Sequence, residues 1–430
     1  MLDLNRLIVY RNIPQSELMY DMVALMNDAD VYSDTDENRD KLYCCIGRLV
    51  QLAGEYGFEG NLWQNYLTWL MVNHENGFST TCELKGDPEG TISRLAELDF
   101  IIFRQMFLYD FKRLKAVCTD NALDMVLNYK RSDDAGKIFN KRIRDRICSL
   151  SKTLANSVNI YEFKGYMTEF YQTFGVGKFG LHKAFRVVPD ENGKAQIVPI
   201  NNIAHVKLDD LIGYETAKKK LTDNTEAFLK GKRANNCLLF GDAGTGKSSS
   251  IKAILNKYFD DGLRIIELYK HQLRDLSDII AQIKNRNYKF IIYMDDLSFE
   301  DFEVEYKYLK AIIEGGLEKK PQNVLIYATS NRRHIIKENF SDREDWSGDV
   351  HKTDTMQEKL SLSARFGVTI FFGAPIKKEY EQIVAALAER NGVNMDNERL
   401  LQEANKWALN HGGMSGRTAQ QFVDYLLGQQ

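Results

Sequence analysis

The stretch Cys237-Leu-Leu-Phe-Gly241-Asp-Ala-Gly-Thr-Gly246-Lys247-Ser248 decides the fold of this chain. Its first four residues predict a buried strand, and the spacing of its glycines, lysine and serine fits the pattern GxxxxGK[ST]. Residues 249–259 then carry their apolar side chains on one helical face. A strand, a glycine-rich loop and a helix in this order predict a phosphate-binding loop, because this is the context that the pattern requires.

Each residue type in the loop has a reason to be there. Glycines let backbone N–H groups turn toward phosphate oxygens, and the following helix adds the positive end of its dipole. Lys247 supplies a charge to the β- and γ-phosphates, and the Ser248 hydroxyl binds Mg²⁺. We therefore expect ATP and Mg²⁺ as ligands. The residues expected to bind them here are Gly241, Asp242, Ala243, Gly244, Thr245, Gly246, Lys247, Ser248 and Ser249.

A second predicted strand ends in two carboxylates. The run 289–294 is mostly apolar, and Asp295 and Asp296 follow it directly. In a parallel sheet, such groups lie at the carboxyl edge, where ligands bind. We predict that Asp295 holds Mg²⁺, directly or through water, and that Asp296 acts as the base that orients the attacking water.

The chain divides into a helical half and an α/β half. Residues 16–157 predict mostly helices, whereas the part after about residue 205 alternates short apolar runs with helical segments. The expected strands are Cys237–Phe240, Arg264–Leu268, Phe290–Met294, Val324–Ala328 and Val368–Phe372. Residues 188–202 contain two prolines and several turn-forming residues, which predict a linker or a hairpin. The predicted domains are a helical N-terminal domain (1–188), a linker (189–204), a nucleotide-binding domain (205–374) and a helical lid (375–430).

Several motifs after residue 207 together resemble an AAA+ ATPase module. Residues 208–215 resemble the segment that lines the adenine pocket, which implies contacts from Ile212, Gly213 and Tyr214. Residues 324–331 resemble the fourth strand with its sensor-1 asparagine, Asn331. Residues 361–367 resemble the segment with the arginine finger, here Arg365, and residues 412–417 resemble the sensor-2 turn, here with Arg417.

The resemblance implies a fold class and a type of assembly. The expected fold is α/β: an AAA+ P-loop parallel-sheet module with a C-terminal helical lid, preceded by a mainly α-helical N-terminal domain. The whole chain is similar to a bacterial AAA+ family of unassigned cellular role, on the motifs at 295–300, 329–334 and 360–366. We expect a homo-oligomer, with a ring as one form, and a macromolecular partner that binds the N-terminal domain.

Two residue assignments and the activity itself have alternatives. AAA+ modules usually carry Glu as the second acidic residue, and Asp296 is one methylene shorter, so Glu300 is an alternative base. Arg332 and Arg333 are alternatives to Arg365. The activity is either ATP hydrolysis that remodels or loads a partner, or a slow nucleotide switch or scaffold. The predicted single helix His271–Asn285 disfavours a protein-threading unfoldase, which needs an extended aromatic loop at this place.

Composition excludes several other classes of protein. The net charge of −3 gives no overall reason to expect nucleic acid, which stays an alternative partner. Residues 1–100 carry 7 Lys/Arg against 17 Asp/Glu, and residues 101–200 carry 17 against 10, which indicates complementary packing or a basic partner-binding face. The six cysteines lack the spacing of a zinc site or a disulfide framework, and no apolar run could span a membrane. These features predict a cytoplasmic protein.

Overall fold

The computed structural model describes residues 2–29, 36–117, 120–131, 140–300, 303, 305–314, 321–332 and 362–429. Two compact units make up the chain, Met1–His182 and Lys183–Gln430. The division therefore comes before the linker that the sequence predicted, and each unit has its own hydrophobic core.

The first unit is helical, as the sequence predicted. Its helices are α1 Glu17–Ala29, α2 Asp36–Tyr56, α3 Leu62–Asn73, α4 Gly77–Lys85, α5 Thr91–Phe107, α6 Lys112–Val117, α7 Ala122–Leu127, α8 Lys141–Ala155, α9 Ile160–Phe174 and α10 Gly177–Leu181. Large aromatic side chains fill its core, and the two tryptophans of α3, Trp63 and Trp69, are buried in it. The two tryptophans therefore serve as core packing.

A buried carboxylate attaches the extreme N-terminal segment to these helices. Asp99 of α5 is fully buried, and its oxygens accept hydrogen bonds from the backbone N–H groups of Ile8 (2.9 Å), Val9 (2.7 Å) and Tyr10 (2.8 Å). The hydroxyl of Tyr171 donates to the carbonyl of Met71 at 2.8 Å. Because a tyrosine has one hydroxyl proton, Tyr10 must be the donor in its 2.8 Å bond to Tyr171.

The second unit is built on one seven-stranded sheet. Its strands are β1 Ala184–Pro189, β2 Ala195–Pro199, β3 Cys237–Gly241, β4 Leu263–Glu267, β5 Lys289–Met294, β6 Val324–Ser330 and β7 Val368–Phe372. They lie in the order β2-β1-β4-β5-β6-β3-β7, and every pairing is parallel except that of β1 with β2. The five strands predicted from the sequence are therefore present, each within two residues of its predicted ends.

Helices cover the sheet, and three more form the lid at the end of the chain. The helices that cover the sheet are α11 Glu215–Leu229, α12 Lys247–Tyr258, α13 Leu276–Ile283 and α14 Glu305–Glu314. The lid helices are α15 Lys377–Arg390, α16 Asn397–Asn410 and α17 Gly416–Leu427. Tyr380, Ala404 and Phe422, one from each lid helix, meet in a separate core. No helix in the described ranges is long and apolar enough to cross a membrane.

Two predictions from the sequence need correction. Residues 184–199 form a hairpin, one of the two alternatives predicted for 188–202, but it extends the sheet of the second unit through the pairing of β1 with β4 and does not end the N-terminal domain. Phe185 and Ile197 are buried on it, and the carboxylate of Asp190 accepts two backbone N–H groups in the turn. The predicted helix 271–285 is instead a 3-10 turn, Lys270–Asp275, followed by the shorter α13.

We predict that Asp99→Ala destabilises the N-terminal unit by about 3 kcal/mol or more, because three buried N–H groups lose their acceptor. Asp99→Asn keeps one acceptor oxygen and should cost about 1–2 kcal/mol. Denaturant unfolding followed by circular dichroism measures both. Equal stability of the two variants would show that the carboxylate does not anchor the N-terminal segment.

Candidate nucleotide-binding site

The phosphate-binding loop is held at its start by the end of β7. Gly241 has φ +135°, and a Cβ atom there would lie 2.1 Å from the carbonyl oxygen of Phe372, so only glycine fits. The backbone N–H of Asp242 donates to that same oxygen at 3.0 Å. The Asp242 carboxylate accepts from the backbone N–H of Ala374 at 2.7 Å. Asp242 is therefore a structural residue of the loop.

Lys247, the first residue of α12, uses all three of its N–H donors within the unit. Its Nζ donates to the carbonyls of Gly241 (2.8 Å) and Asp242 (2.6 Å) and to Oδ1 of Asn331 (3.0 Å). The side chain is buried, and burial lowers the pKa of Lys247 even though Asp242, Asp296 and Asp295 lie near enough to oppose that shift. The ammonium group is thus held at the loop, close to the carboxyl ends of β3 and β6.

Asp295, which follows β5, is surrounded by hydroxyl groups. Its Oδ1 atom accepts hydrogen bonds from Ser248 (2.7 Å), Tyr293 (2.7 Å) and Thr329 (2.5 Å). Burial raises the pKa of Asp295, but these hydrogen bonds outweigh it and the net pKa is below the ordinary value. The group next to Ser248 is therefore an ionised carboxylate at neutral pH.

Asp296 has the left-handed backbone conformation that L-residues rarely adopt, with φ +50°. Its Oδ1 atom accepts a hydrogen bond of 2.8 Å from the side-chain amide of Asn331. Since Asn331 also accepts from Lys247, one amide joins the lysine of the loop to the second carboxylate. Glu300, the alternative base, does not line the cavity described below, and its backbone N–H donates to Glu303.

These groups line a cavity of about 1000 Å³. The residues predicted from the sequence that line it are Ile212, Tyr214, Ala243, Gly244, Thr245, Gly246, Lys247, Ser248, Ser249, Asp295, Asp296, Asn331 and Arg417. Gly213, Gly241, Asp242 and Arg365 do not line it. The residues that the sequence did not indicate are Val206, Asp210, Leu211, Lys252, Thr329, Ile383, Leu387, Arg390, Asn391, Gly416, Gln420 and Gln421. Most of these belong to the lid. Asp210, Leu211, Thr329 and Gly416 fall within the motifs at 208–215, 324–331 and 412–417, and no motif marks the others.

Residues 209–214, which precede α11, contact both the end of β7 and the lid at one end of the cavity. The hydroxyl of Tyr214 donates to the carbonyl of Gly373 at 2.9 Å, and its ring lies 5.3 Å from that of Phe372. The guanidinium of Arg390, in the lid, donates to the carbonyls of Asp209 (2.7 Å) and Asp210 (3.3 Å). The apolar and backbone groups of this end suit a nucleobase.

The lid contacts the phosphate-binding loop at Gly244. The backbone N–H of Arg417 donates to the carbonyl of Gly244 at 3.2 Å, and Ser415 caps α17 by accepting from the N–H of Thr418 at 3.1 Å. Gly244 has φ +74°, and a Cβ atom there would lie 2.9 Å from Oγ of Ser415 and 3.0 Å from Cβ of Arg417. A glycine is therefore needed for the lid to approach the loop this closely.

The arginine predicted as a finger lies outside the cavity. Arg365 is half-buried in the turn just before β7, and its backbone N–H donates to the carbonyl of Leu362 at 3.2 Å. Arg332, one alternative, is exposed after β6, and Arg333, the other, lies outside the described residues. Arg365 is not among the residues that line the cavity of its own chain, and its action on another subunit stays a prediction.

The oxygen ligands present fit Mg²⁺ better than a transition metal. Among the described residues, no cluster of three His, Cys, Asp or Glu side chains could form a metal cage. Ser248 and Asp295 offer a hydroxyl and a carboxylate 2.7 Å apart. Mg²⁺ in nucleotide sites takes such a small set of hard oxygen ligands, together with phosphate and water.

We predict that Gly244→Ala weakens nucleotide binding about tenfold or more, because the added methyl group pushes the start of α17 away from the loop. Gly193→Ala is the matched control: Gly193 also has a positive φ, of +75°, but nothing lies within 4 Å of its Cβ position. Both variants should lose about 1 kcal/mol of stability from backbone strain. Calorimetric titration with a nucleotide measures the affinity, and similar affinities for the two variants would contradict the lid contact.

Comparison with known proteins agrees with this geometry. Residues 181–430 match the family model described as "Protein of unknown function (DUF815)". The large subunit of replication factor C from Staphylothermus marinus is 38% identical over 74 residues, which cover 17% of each chain. The same subunit from Methanococcus vannielii is 36% identical over 76 residues, or 18% of this chain and 15% of the relative.

Solved structures with some similarity cover about half of the chain. The RuvB Holliday junction branch migration motor of Thermotoga maritima is 18% identical, with a TM-score of 0.36, over 51% of this chain and 63% of that one. The FIGL-1 AAA domain in complex with ADP is 16% identical, with a TM-score of 0.36, over 53% and 74%. The matched segment spans about a sixth of the length of the curated relatives. The chain belongs to the DUF815 family, and its second unit has a parallel sheet in the order β4-β5-β6-β3-β7, a glycine-rich loop after β3 and a C-terminal helical lid.

Proposed function

We propose that this protein binds ATP with Mg²⁺ and hydrolyses it as a homo-oligomer, in order to remodel or load a macromolecular partner. The observation that carries the proposal is the hydrogen-bonded path from Lys247 through Asn331 to Asp296, at the mouth of a phosphate-binding loop. It brings a cation, a polar amide and a carboxylate together where a γ-phosphate would end. That set matches the needs of phosphoryl transfer to water.

Each residue of the site has its own role in the proposed reaction. Lys247 stabilises the negative charge of the β- and γ-phosphates, and Asn331 holds both the γ-phosphate and the attacking water in line. Asp296 accepts a proton from that water, either directly or through a second water molecule. Ser248 and Asp295 would hold Mg²⁺, which would supply positive charge to the phosphate oxygens.

An arginine of the neighbouring subunit also supplies positive charge to the site. Arg365 precedes β7 and lies outside the cavity of its own chain, so its guanidinium serves the ATP of the next protomer. Such a group stabilises charge on the departing phosphoryl oxygens with paired donors. Arg417 supplies the corresponding charge from the lid of the same chain. The N-terminal unit, whose core is separate, binds the partner.

One contact favours slow turnover as a second candidate function. The carboxylate of Asp296 is already engaged by the amide of Asn331 at 2.8 Å, and it is one methylene shorter than the usual glutamate. A base held in this way activates water poorly until the amide moves. The protein would then be a nucleotide switch that presents its partner-binding surface in the ATP state, and the turnover rate of the wild-type protein separates the two functions.

We predict that Asp295→Asn impairs Mg²⁺-dependent hydrolysis and that Asp296→Asn binds ATP but hydrolyses it at least about 100-fold more slowly. Glu300→Gln is the matched control, because Glu300 lies five residues beyond Asp295 and outside the cavity. Phosphate release gives the rates, and filter binding gives the ATP retained. Normal hydrolysis by Asp296→Asn together with loss in Glu300→Gln would make Glu300 the base.

We predict that Arg365→Ala binds ATP nearly as well as the wild type but hydrolyses it about 10³-fold more slowly. Mixing it with Lys247→Ala should restore activity, because one interface then pairs an intact cavity with an intact arginine. Activity per subunit should also rise with protein concentration. Full activity of a monomer at all concentrations would rule out an arginine that acts in trans.

A further inference from the structure

Thr329 contacts all three residues that follow β5. It is the penultimate residue of β6 and is buried, with 1% of its surface exposed. Its hydroxyl donates to Oδ1 of Asp295 at 2.5 Å and accepts from the backbone N–H of Asp296 at 2.9 Å. Its carbonyl accepts from the backbone N–H of Leu297 at 2.7 Å. One residue on β6 therefore holds the turn 295–297 at three points.

The hydrogen-bond chemistry leaves the hydroxyl a single orientation. The backbone N–H of Asp296 can only donate, so the oxygen of Thr329 must be its acceptor. The one hydroxyl proton is then directed at the ionised carboxylate of Asp295, which can only accept. The two bonds support each other, since donation to an anion makes the hydroxyl oxygen a better acceptor.

The turn needs such support because it is strained. Asp296 has φ +50°, a conformation that costs a residue with a Cβ atom about 1 kcal/mol or more. Strained residues keep such a conformation only where their surroundings restrain them. The bond to Thr329 restrains the N–H of Asp296 directly, and thereby the direction in which its carboxylate leaves the backbone.

We propose that Thr329 is a positioning residue that places both carboxylates at once: Asp295 for Mg²⁺ and Asp296 for the attacking water. This inference rests on the proposed ATPase function. Tyr293 provides the comparison that isolates the effect. Its hydroxyl also donates to Oδ1 of Asp295, at 2.7 Å, but within the described part of the chain it forms no hydrogen bond with Asp296. Loss of the Tyr293 hydroxyl is therefore expected to affect the position of Asp295 alone. Loss of the Thr329 hydroxyl is expected to affect the positions of both Asp295 and Asp296.

The test compares Thr329→Ala with Thr329→Ser in the full-length chain. Both variants lack the γ-methyl group, so they differ only in the hydroxyl. We expect the alanine variant to show a kcat that is about 10- to 100-fold lower and a higher Mg²⁺ concentration for half-maximal ATP binding, with little change in KM. The serine variant should recover both properties to within about threefold. Tyr293→Phe should raise the Mg²⁺ requirement, yet keep most of its kcat at saturating Mg²⁺.

Several results would overturn the inference, and they differ from a failure of the proposed function. If the alanine and serine variants are equally impaired, Thr329 acts through packing of its methyl group. If the alanine variant matches the wild type, the hydroxyl positions nothing. If Tyr293→Phe lowers kcat as much as Thr329→Ala does, the effect comes through Asp295 alone. A wild-type protein that shows no Mg²⁺-dependent ATP binding would instead refute the proposed function and this inference with it.

Should the alanine variant fail to fold, Thr329→Val replaces it, because valine keeps the shape of threonine and has a methyl group in place of the hydroxyl. Thermal unfolding of each variant shows which of them is folded. Should the wild type bind ATP but not turn it over, the Mg²⁺ concentration for half-maximal binding is the measurement that decides. An unchanged value in the variant without the hydroxyl would then overturn the inference.

Discussion

The parallel pairing of β3, β6 and β5 is the constraint on which the site depends. In this register Leu239 lies opposite Thr329, and Met294 lies opposite Ala328, so the three strands end close together at one edge of the sheet. Lys247 can then reach Asn331, and Asn331 can reach Asp296. A slip of one residue would turn the side chains of a strand to the opposite face and break this path. Burial of apolar side chains along the strands therefore sets the geometry of the polar groups beyond their ends.

The end of β7 and the start of α17 pack against the phosphate-binding loop from two sides, and each approaches it closely at a glycine. Gly241 lies against the end of β7, and Gly244 lies against the start of α17 in the lid. A movement of the lid therefore reaches the loop directly through the contact between Gly244 and Arg417. Arg390 makes a second lid contact, to the backbone of Asp209 and Asp210. The lid therefore contacts the rest of the unit at two points of the cavity lining.

The two units are stabilised in different ways. The first relies on a dense aromatic core and on Asp99, whose buried carboxylate receives backbone N–H groups of the N-terminal segment. The second relies on one sheet with a separate core in the lid. Each unit can bury its own apolar surface, which is the physical condition for the helical unit and the α/β unit to be distinct domains.

The sequence by itself determined every element whose cause is local. The phosphate-binding loop, the acidic end of β5, the five strands and the helical first unit all follow from spacing and periodicity within one segment. The place of the hairpin 184–199 in the sheet did not, because it depends on the pairing of β1 with β4, more than sixty residues later in the chain. The lid residues Arg390 and Gln421 likewise carry no local pattern, and the motif at 324–331 does not reveal the hydrogen bonds that Thr329 makes to Asp295 and Asp296. Their positions depend on which strand and which helix become neighbours after folding, and only the packing of apolar surfaces over long sequence separations decides that.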